Sequence, residues 1–350
     1  MVWNCRGATS SAFFRYCKQY IDNYKPGVLV IVETRCNPSI PIKALRRLGY
    51  DSMESIDNTG YAGGIVVAWK SSDIGLSLHM KTTQFIHFKV ELEKEEWYFT
   101  AVYASPNDIQ KQLLWHELQY LASNMSKAWM IAGDFNDIAC SLEKKGGLPA
   151  PLSRCKKFRD RIIVCSLNDV ESRGPRFTWR GPIYHGGQRI YEKLDRALSN
   201  DAWRFQFLEA FVKVLVRVEF SDHHPILINL KEEKYECMQK PFRFENAWLL
   251  NDSYHDMMQD SWREDIPFNV NLNNVVEGIE RWKFDTFDKI KRRKKEITRR
   301  LEGTQRKLQL QDNYGGMRRL EVKLQEELSG IKDQGLCGVL MVTATRNTII

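Results

Sequence analysis

Phe220-Ser221-Asp222-His223-His224-Pro225-Ile226 separates two apolar runs: Val212, Val214, Leu215, Val216 and Val218 before it, and Ile226, Leu227 and Ile228 after it. The pattern predicts a charged triplet, Asp-His-His, where one strand ends and the next begins. Strand ends hold side chains rigidly around a cleft, so this is a place for chemistry rather than solvated decoration. Aspartate is a hard oxygen ligand for Mg²⁺. Histidine can donate a proton to a phosphate oxygen or orient it.

Other strand ends follow the same pattern. Met1-Val2-Trp3 reads as the end of a strand, with Asn4-Cys5-Arg6-Gly7 as the turn after it. Ser11 to Tyr24 reads as an amphipathic helix (Phe13, Phe14, Cys17, Tyr20, Ile21), stopped by Pro26-Gly27. Val28-Leu29-Val30-Ile31-Val32 is aliphatic throughout, the mark of a strand buried on both faces, and it ends in Glu33-Thr34. A short helix over Ile42 to Leu48 precedes the turn Gly60 to Gly64 and a second buried strand, Ile65 to Trp69. Phe85 to Leu92 alternates, which predicts one polar face carrying His87, Lys89 and Glu91. Trp97 to Tyr103 is a strand closed by Ser105-Pro106, and Ile109 to Ala122 is a helix. Ala128 to Ala132 is a buried strand running into Gly133-Asp134-Phe135-Asn136. Cys155 to Cys165 and Asp201 to Phe207 read as helices. Arg176 to Trp179 and Glu192 to Arg196 read as the arms of a hairpin whose Gly-rich tip spans Arg180 to Arg189. Strands with helices between them predict two packed sheets with helices outside.

The texture changes after Leu230. Lys231 to Lys240 is a charged linker, and short helices fill the stretch to residue 272. From Asn273 to Gln309, Val276, Ile279, Ile290, Ile297, Leu301 and Leu308 recur at heptad-like spacing. Asn313-Tyr314-Gly315-Gly316 breaks this pattern, and Leu320, Leu324, Leu328 and Ile331 resume it. The prediction is a helical hairpin over 273–335, basic in its first arm (Lys291 to Lys295, Arg299, Arg300), able to self-associate, with an unstructured tail at 336–350.

Composition narrows the class. A chain of 350 residues, 43% hydrophobic and 27% charged, is long enough for a sizeable core. Its net charge of +8 favours an anionic partner such as nucleic acid. The cysteines include no Cys-x-x-Cys pair and no regular framework, which speaks against zinc and against secreted disulfides. The N-terminus has no signal-peptide core, and no apolar run approaches the roughly 20 residues that cross a bilayer. The expectation is an intracellular chain without a membrane span, nuclear if its partner is DNA.

Asn4, Glu33, Tyr103, Asp134 with Asn136, Asp195, and Asp222 with His223 all stand at predicted strand ends. Carboxylates that converge at a sheet edge repel one another unless a cation sits among them. Carboxylates with carboxamides suit Mg²⁺ or Mn²⁺ rather than zinc. In order along residues 1–230, Trp3-Asn4, Glu33-Thr34, Tyr103-x-Ser105-Pro106, Gly133-Asp134-Phe135-Asn136, Leu194-Asp195-Arg196 and Ser221-Asp222-His223-His224-Pro225 resemble the motifs of the endonuclease/exonuclease/phosphatase superfamily. Trp-Asn-Cys-Arg-Gly and Leu-Asp-Arg-Ala look most like the endonuclease of plant LINE-type (non-LTR) retrotransposons. The resemblance departs from the family in two places: the first strand reads as cut short, and Arg6 stands where many relatives carry an acid.

The resemblance implies a four-layered α/β sandwich, two packed, mainly antiparallel sheets with outer helices, followed by the C-terminal helical hairpin. It implies a Mg²⁺- or Mn²⁺-dependent phosphodiesterase that nicks DNA. Glu33, Asp222 and Asn4 would serve the metal side. Asp134 would position or deprotonate the attacking water, with Asn136 orienting it. Tyr103 would support the phosphate or leaving group, and Asp195 would hold the His223 imidazole. At the hairpin tip, Arg180 and Arg189 would meet phosphates and Tyr184 would stack on DNA. Two alternatives are a phosphomonoesterase of the same superfamily and a catalytically dead nucleic-acid-binding remnant. His224 reads as a buried structural histidine.

Overall fold

The computed structural model describes residues 1–59, 62–93, 95–184, 187–231, 252–283, 285, 289–310 and 315–344. The first strand is β1 (Val2–Asn4) and the second is β2 (Val28–Val32). They are followed by β3 (Ser52–Thr59), β4 (Ala62–Trp69), β5 (Gly75–Lys81), β6 (Phe85–Leu92), β7 (Glu95–Tyr103) and β8 (Trp129–Asp134). Three short strands come next: β9 (Lys144–Lys145), β10 (Asn168–Asp169) and β11 (Ser172–Arg173). β12 (Trp179–Ile183) and β13 (Arg189–Glu192) form a hairpin, and β14 (Asp195–Ser199), β15 (Phe211–Val214) and β16 (Ile226–Asn229) follow.

One main sheet runs β11-β15-β16-β1-β2-β4-β3 and the other β10-β14-β8-β7-β6-β5, and a small third sheet runs β12-β13-β9. Pairing is mainly antiparallel; β1 with β2, β7 with β8 and β11 with β15 are parallel. Between the sheets, Val30, Val32, Ile65 and Val67 meet Phe88, Phe99, Met130 and Trp203. The alternate side chains of β2, Leu29 and Ile31, pack the other way, with Trp3, Phe13, Tyr20 and Leu45. That two-sided burial is why β2 is aliphatic at every position. Phe13 and Tyr20 belong to α1 (Ser11–Tyr24), capped by the Ser10 hydroxyl accepting the Phe13 N–H at 3.2 Å, and Leu45 to α2 (Ser39–Arg47). On the far side, α3 (Asp108–Ser123) and α4 (Leu152–Val164) bring Leu114, Trp115, Leu118 and Phe158 onto Val102 and Ile131. Helices, sheet, sheet and helices make the four-layered α/β sandwich. A short α5 (Asp201–Gln206) sets Trp203 into the central core.

Two local expectations are corrected, and two strands were not foreseen. β3 and β5 lack an apolar signature because they are the outermost strands of their sheets, with β5 largely open to water. The polar face expected of β6 begins only at Lys89, because Phe85, Ile86, His87 and Phe88 are covered on both sides. His87 stays neutral there, with burial lowering its pKa to about 4 and Nδ1 2.8 Å from the Thr100 hydroxyl. The hairpin arms are 179–183 and 189–192; Asp195 instead opens β14, which pairs with β8. Gly181 and Pro182 look like turn residues but sit in β12, where the pairing register shifts between Arg180 and Ile183.

Past β16 come α6 (Asp252–Ser261), α7 (Phe268–Lys283), α8 (Lys289–Leu310) and α9 (Gly315–Ala344). The chain forms two compact units: residues 1–233 with 305–314, and residues 234–304 with 315–350. In the second, Tyr254 packs on Val275, Ile279 and Trp282, and the Trp282 indole N–H donates to Ser253 Oγ at 2.8 Å. The charged linker falls, beyond Lys231, outside the described residues, as do 345–350. The expected tail is corrected for 336–344, which continue α9; Leu336, Leu340 and Met341 are good helix formers.

Candidate active site

Sheet register gathers the strand ends. Asn4 ends β1 beside Val32 of β2, and Glu33 follows directly with a positive φ of 57° that swings its side chain out of the strand direction. In the second sheet Asp134 lies between Tyr103 of β7 and Asp195 of β14. The two rims meet through Asn4, whose Nδ2 donates to Glu33 Oε2 at 2.7 Å and to Asp134 Oδ2 at 2.9 Å. His223 comes from the loop before β16 and forms a bridge pair with Trp179. Its Nδ1 lies 2.8 Å from Asp195 Oδ2 and 3.9 Å from Asp134 Oδ2. The structure thus brings Asn4, Glu33, Tyr103, Asp134, Asp195 and His223 together, and all six are buried.

Several neighbours lock this set. The Ser221 hydroxyl donates to Asn4 O at 2.8 Å and accepts the His223 N–H at 3.0 Å. Thr178 Oγ1 accepts the N–H groups of Leu194 and Asp195, each at 2.9 Å. Asn136, in the left-handed region at φ 47°, donates its N–H to Asp134 Oδ1 at 2.9 Å and its Nδ2 to Ala104 O at 2.8 Å. Lys111 Nζ and Arg154 Nη2 both donate to the Asn136 carbonyl, at 2.8 and 3.2 Å. Sequence reasoning missed Thr178, Lys111 and Arg154. A signal existed for Lys111, which shares the buried stripe of α3 with Leu114 and Leu118, where a lysine needs partners.

Asp222 sits slightly apart. Its Oδ2 accepts from Arg6 Nη1 at 2.6 Å and from the Trp179 indole N–H at 2.8 Å. Its Oδ1 is buried, has no hydrogen-bond partner, and lies 3.9 Å from His223 Nε2. Glu33 is paired with Arg35 and lies beside the Tyr103 phenol. Arg196, beside Asp195 in sequence, turns away to Glu143 at 2.7 Å and Asp169 at 2.9 Å. His224 is buried, with Nδ1 2.8 Å from Leu215 O and its pKa lowered to about 3 by burial and by Arg217.

The charges interact strongly. Burial alone would lower the His223 pKa, but Asp195, Asp134 and Asp222 together raise it to about 9, so the imidazole is held protonated. Burial and the neighbouring Asp195 push the Asp134 carboxyl upward, against the pull of His223, the Asn136 N–H and Asn4. The Tyr103 phenol is kept protonated by burial and by Glu33 and Asp134.

Could these residues hold a metal? One ligand atom each from Glu33, Asp134 and His223 lie within 4.8 Å of one another. Two buried carboxylate oxygens and the unpartnered Asp222 Oδ1 nearby are hard oxygen donors, which fits a divalent cation. The site opens into a cleft of about 610 Å³ lined by Arg6, Glu33, Tyr103, Asn136, Asp222 and His223. Its far wall carries Lys144, Arg154, Trp179, Pro182 and Ile190, the last three from the β12–β13 hairpin. Arg180, Tyr184 and Arg189 lie on that hairpin, Arg189 Nη1 donating to Gly181 O at 2.8 Å; residues 185 and 186 at its tip are outside the described set.

The family to which this sandwich belongs comprises nucleases and phosphatases, which supports a hydrolase. The model of the Endonuclease/Exonuclease/phosphatase family matches residues 1–223, and the chain belongs to that family. Among solved structures it is similar to NExo, a 3′ phosphatase from Neisseria bound to a product DNA hairpin, at 15% identity and TM-score 0.50. That match covers 65% of this chain and 97% of the other. It is also similar to the endonuclease domain of TRAS1, a telomere-specific non-LTR retrotransposon (14% identity, TM-score 0.49, 67% of this chain and 98% of that one). An AP endonuclease from Archaeoglobus fulgidus matches at 15% identity and TM-score 0.49, over 65% of this chain and 97% of its own. No curated protein matches the sequence. Among the described residues no helix is long and apolar enough to cross a membrane.

Proposed function

We propose that this chain is a divalent-metal-dependent phosphodiesterase that nicks DNA, the endonuclease of a plant LINE-type retrotransposon, using Mg²⁺ or Mn²⁺. The observation that carries the reading is the meeting of Glu33, Asp134, Asp195 and His223 around Asn4 at one end of both sheets. Glu33, with the Asp222 oxygen nearby, would hold the cation. When bound, it supplies Lewis-acid polarisation of a phosphoryl oxygen. Asn4 keeps Glu33 and Asp134 in register by donating to both.

The protonated His223, oriented by Asp195, donates a hydrogen bond to a phosphate oxygen as negative charge grows there. Asp134 takes the proton of the attacking water, and Asn136 orients that water from the same turn. Tyr103, fixed in its protonated form, donates to the phosphate or the leaving oxygen. Arg180, Tyr184 and Arg189 present a basic and aromatic edge to the duplex beside the cleft, and the net charge of +8 supports a polyanionic substrate. A DNA substrate would have the protein act in the nucleus.

With supercoiled plasmid and Mg²⁺ the full chain should yield nicked circles, and EDTA should stop it. Release of inorganic phosphate from small phosphomonoesters with no nicking would replace this reading with that of a phosphomonoesterase. Salt-sensitive DNA binding with neither reaction would replace it with that of a binding remnant.

A further inference from the structure

Two glutamines outside the family region are fastened to the frame of the site. Gln309 Oε1 accepts the Phe177 N–H at 3.1 Å, and its Nε2 donates to Phe177 O at 3.0 Å. Gln305, one helical turn earlier, does the same to Arg217: Oε1 accepts the N–H at 3.1 Å and Nε2 donates to the carbonyl at 2.9 Å. Phe177 and Arg217 are buried and lie outside every strand, so no ladder satisfies their peptide groups. Both glutamines are buried as well. The helix end is tied a third time, by Lys145 Nζ donating to Gln309 O at 2.9 Å, where a cation suits the terminal carbonyls. These contacts lie within one compact unit, since residues 305–314 group with residues 1–233.

The two anchored peptides are next to the groups that set His223. Thr178 follows Phe177; its hydroxyl accepts the Leu194 and Asp195 N–H groups, and its carbonyl accepts the His224 N–H at 2.7 Å. Arg217 Nη1 donates to Val218 O and Ser221 O, each at 3.1 Å. Ser221 in turn holds the His223 N–H and the Asn4 carbonyl. Asp195 is therefore steadied from the Gln309 side, and the loop carrying His223 from the Gln305 side.

We infer that Gln305 and Gln309 are positioning residues of the active site, holding the Asp195–His223 pair in register through Phe177 and Arg217. The kinetic part of this inference rests on the phosphodiesterase reading; the geometric part does not. The two readouts are the His223 imidazole resonances in histidine-labelled full-length protein and the nicking kinetics of the same samples. Gln309→Met and Gln305→Met, made separately, should each shift or broaden the His223 signal while the His87 signal stays in place. Each should also lower kcat by ~10-fold or more, with KM for DNA within twofold, as misplacing a catalytic group does. Lys307→Ala, an exposed change on the same turn, should match wild type in both. If either glutamine variant fails to fold, the other decides. A variant that unfolds at lower urea yet keeps the wild-type His223 resonance would overturn the inference and leave a purely structural clamp. If the wild-type chain does not nick DNA, the phosphodiesterase reading falls, and the resonance alone decides this one.

Discussion

His223→Ala should lower nicking by ~10²–10⁴-fold, the span that a positioned proton donor or acceptor supplies. The imidazole is buried, bonded through Nδ1 to Asp195, and held protonated by three surrounding carboxylates. Removing it takes away the cation that faces the phosphate and also leaves Asp134 and Asp195 facing each other uncompensated. Activity must therefore be read beside circular dichroism at the assay temperature. Asp195→Asn is the companion test. It keeps the shape but weakens the charge that holds the imidazolium, and should give a smaller loss in kcat with KM for DNA little changed. Equal rates for wild type and His223→Ala in folded protein would remove His223 from the chemistry.

Gly133→Ala should be the most destabilising single methyl addition in the second sheet. A Cβ there would stand 1.8 Å from the Val102 carbonyl oxygen and 2.7 Å from its carbon. Both are backbone atoms of the neighbouring parallel strand, so no side chain can move aside, and strands β7 and β8 would have to part. Overpacking typically costs about 1–3 kcal/mol, and a backbone clash belongs at or above the top of that range. Because Tyr103 pairs with Asp134 at the next register position, the same displacement would pull two groups of the site apart. A urea titration should show the midpoint falling sharply, and nicking should fall even in protein that remains folded. Gly27→Ala is the control, since nothing lies within 4 Å of its Cβ position. A shift in Gly133→Ala no larger than in that control would show that the strands yield easily.

The sequence made the central strands legible because burial on both faces leaves an unbroken aliphatic run, as in Val28 to Val32 and Met130 to Ala132. The polar residues gathered at the candidate site were legible for a related reason. An acid at the end of such a run, as at Glu33 and, one glycine later, Asp134, stands where a sheet edge can gather it. Edge strands β3 and β5 escaped because one side of each meets water and the polar residues there mimic loops. The wrong hairpin arms came from treating Gly181-Pro182 as a turn when they sit within an irregular strand.

Supporting residues were the least legible. Thr178 acts through a single hydroxyl on backbone groups far away in sequence, which no local pattern records, and Ser221, though part of the quoted motif, gave no sign of its bond to the Asn4 carbonyl. Gln305 and Gln309 flank Leu308 in a heptad-like stretch and look like solvated positions until their backbone partners are known. Arg6 was visible as a departure from the family pattern; its partner, Asp222, was not.

Diffraction from crystals soaked in Mn²⁺, recorded to locate the metal by its anomalous scattering, tests the central claim most directly. The account predicts a peak coordinated by Glu33, in the cleft bounded by Asp134 and His223, that vanishes in Glu33→Gln crystals. No peak there at saturating Mn²⁺, or one that persists in Glu33→Gln, would contradict it.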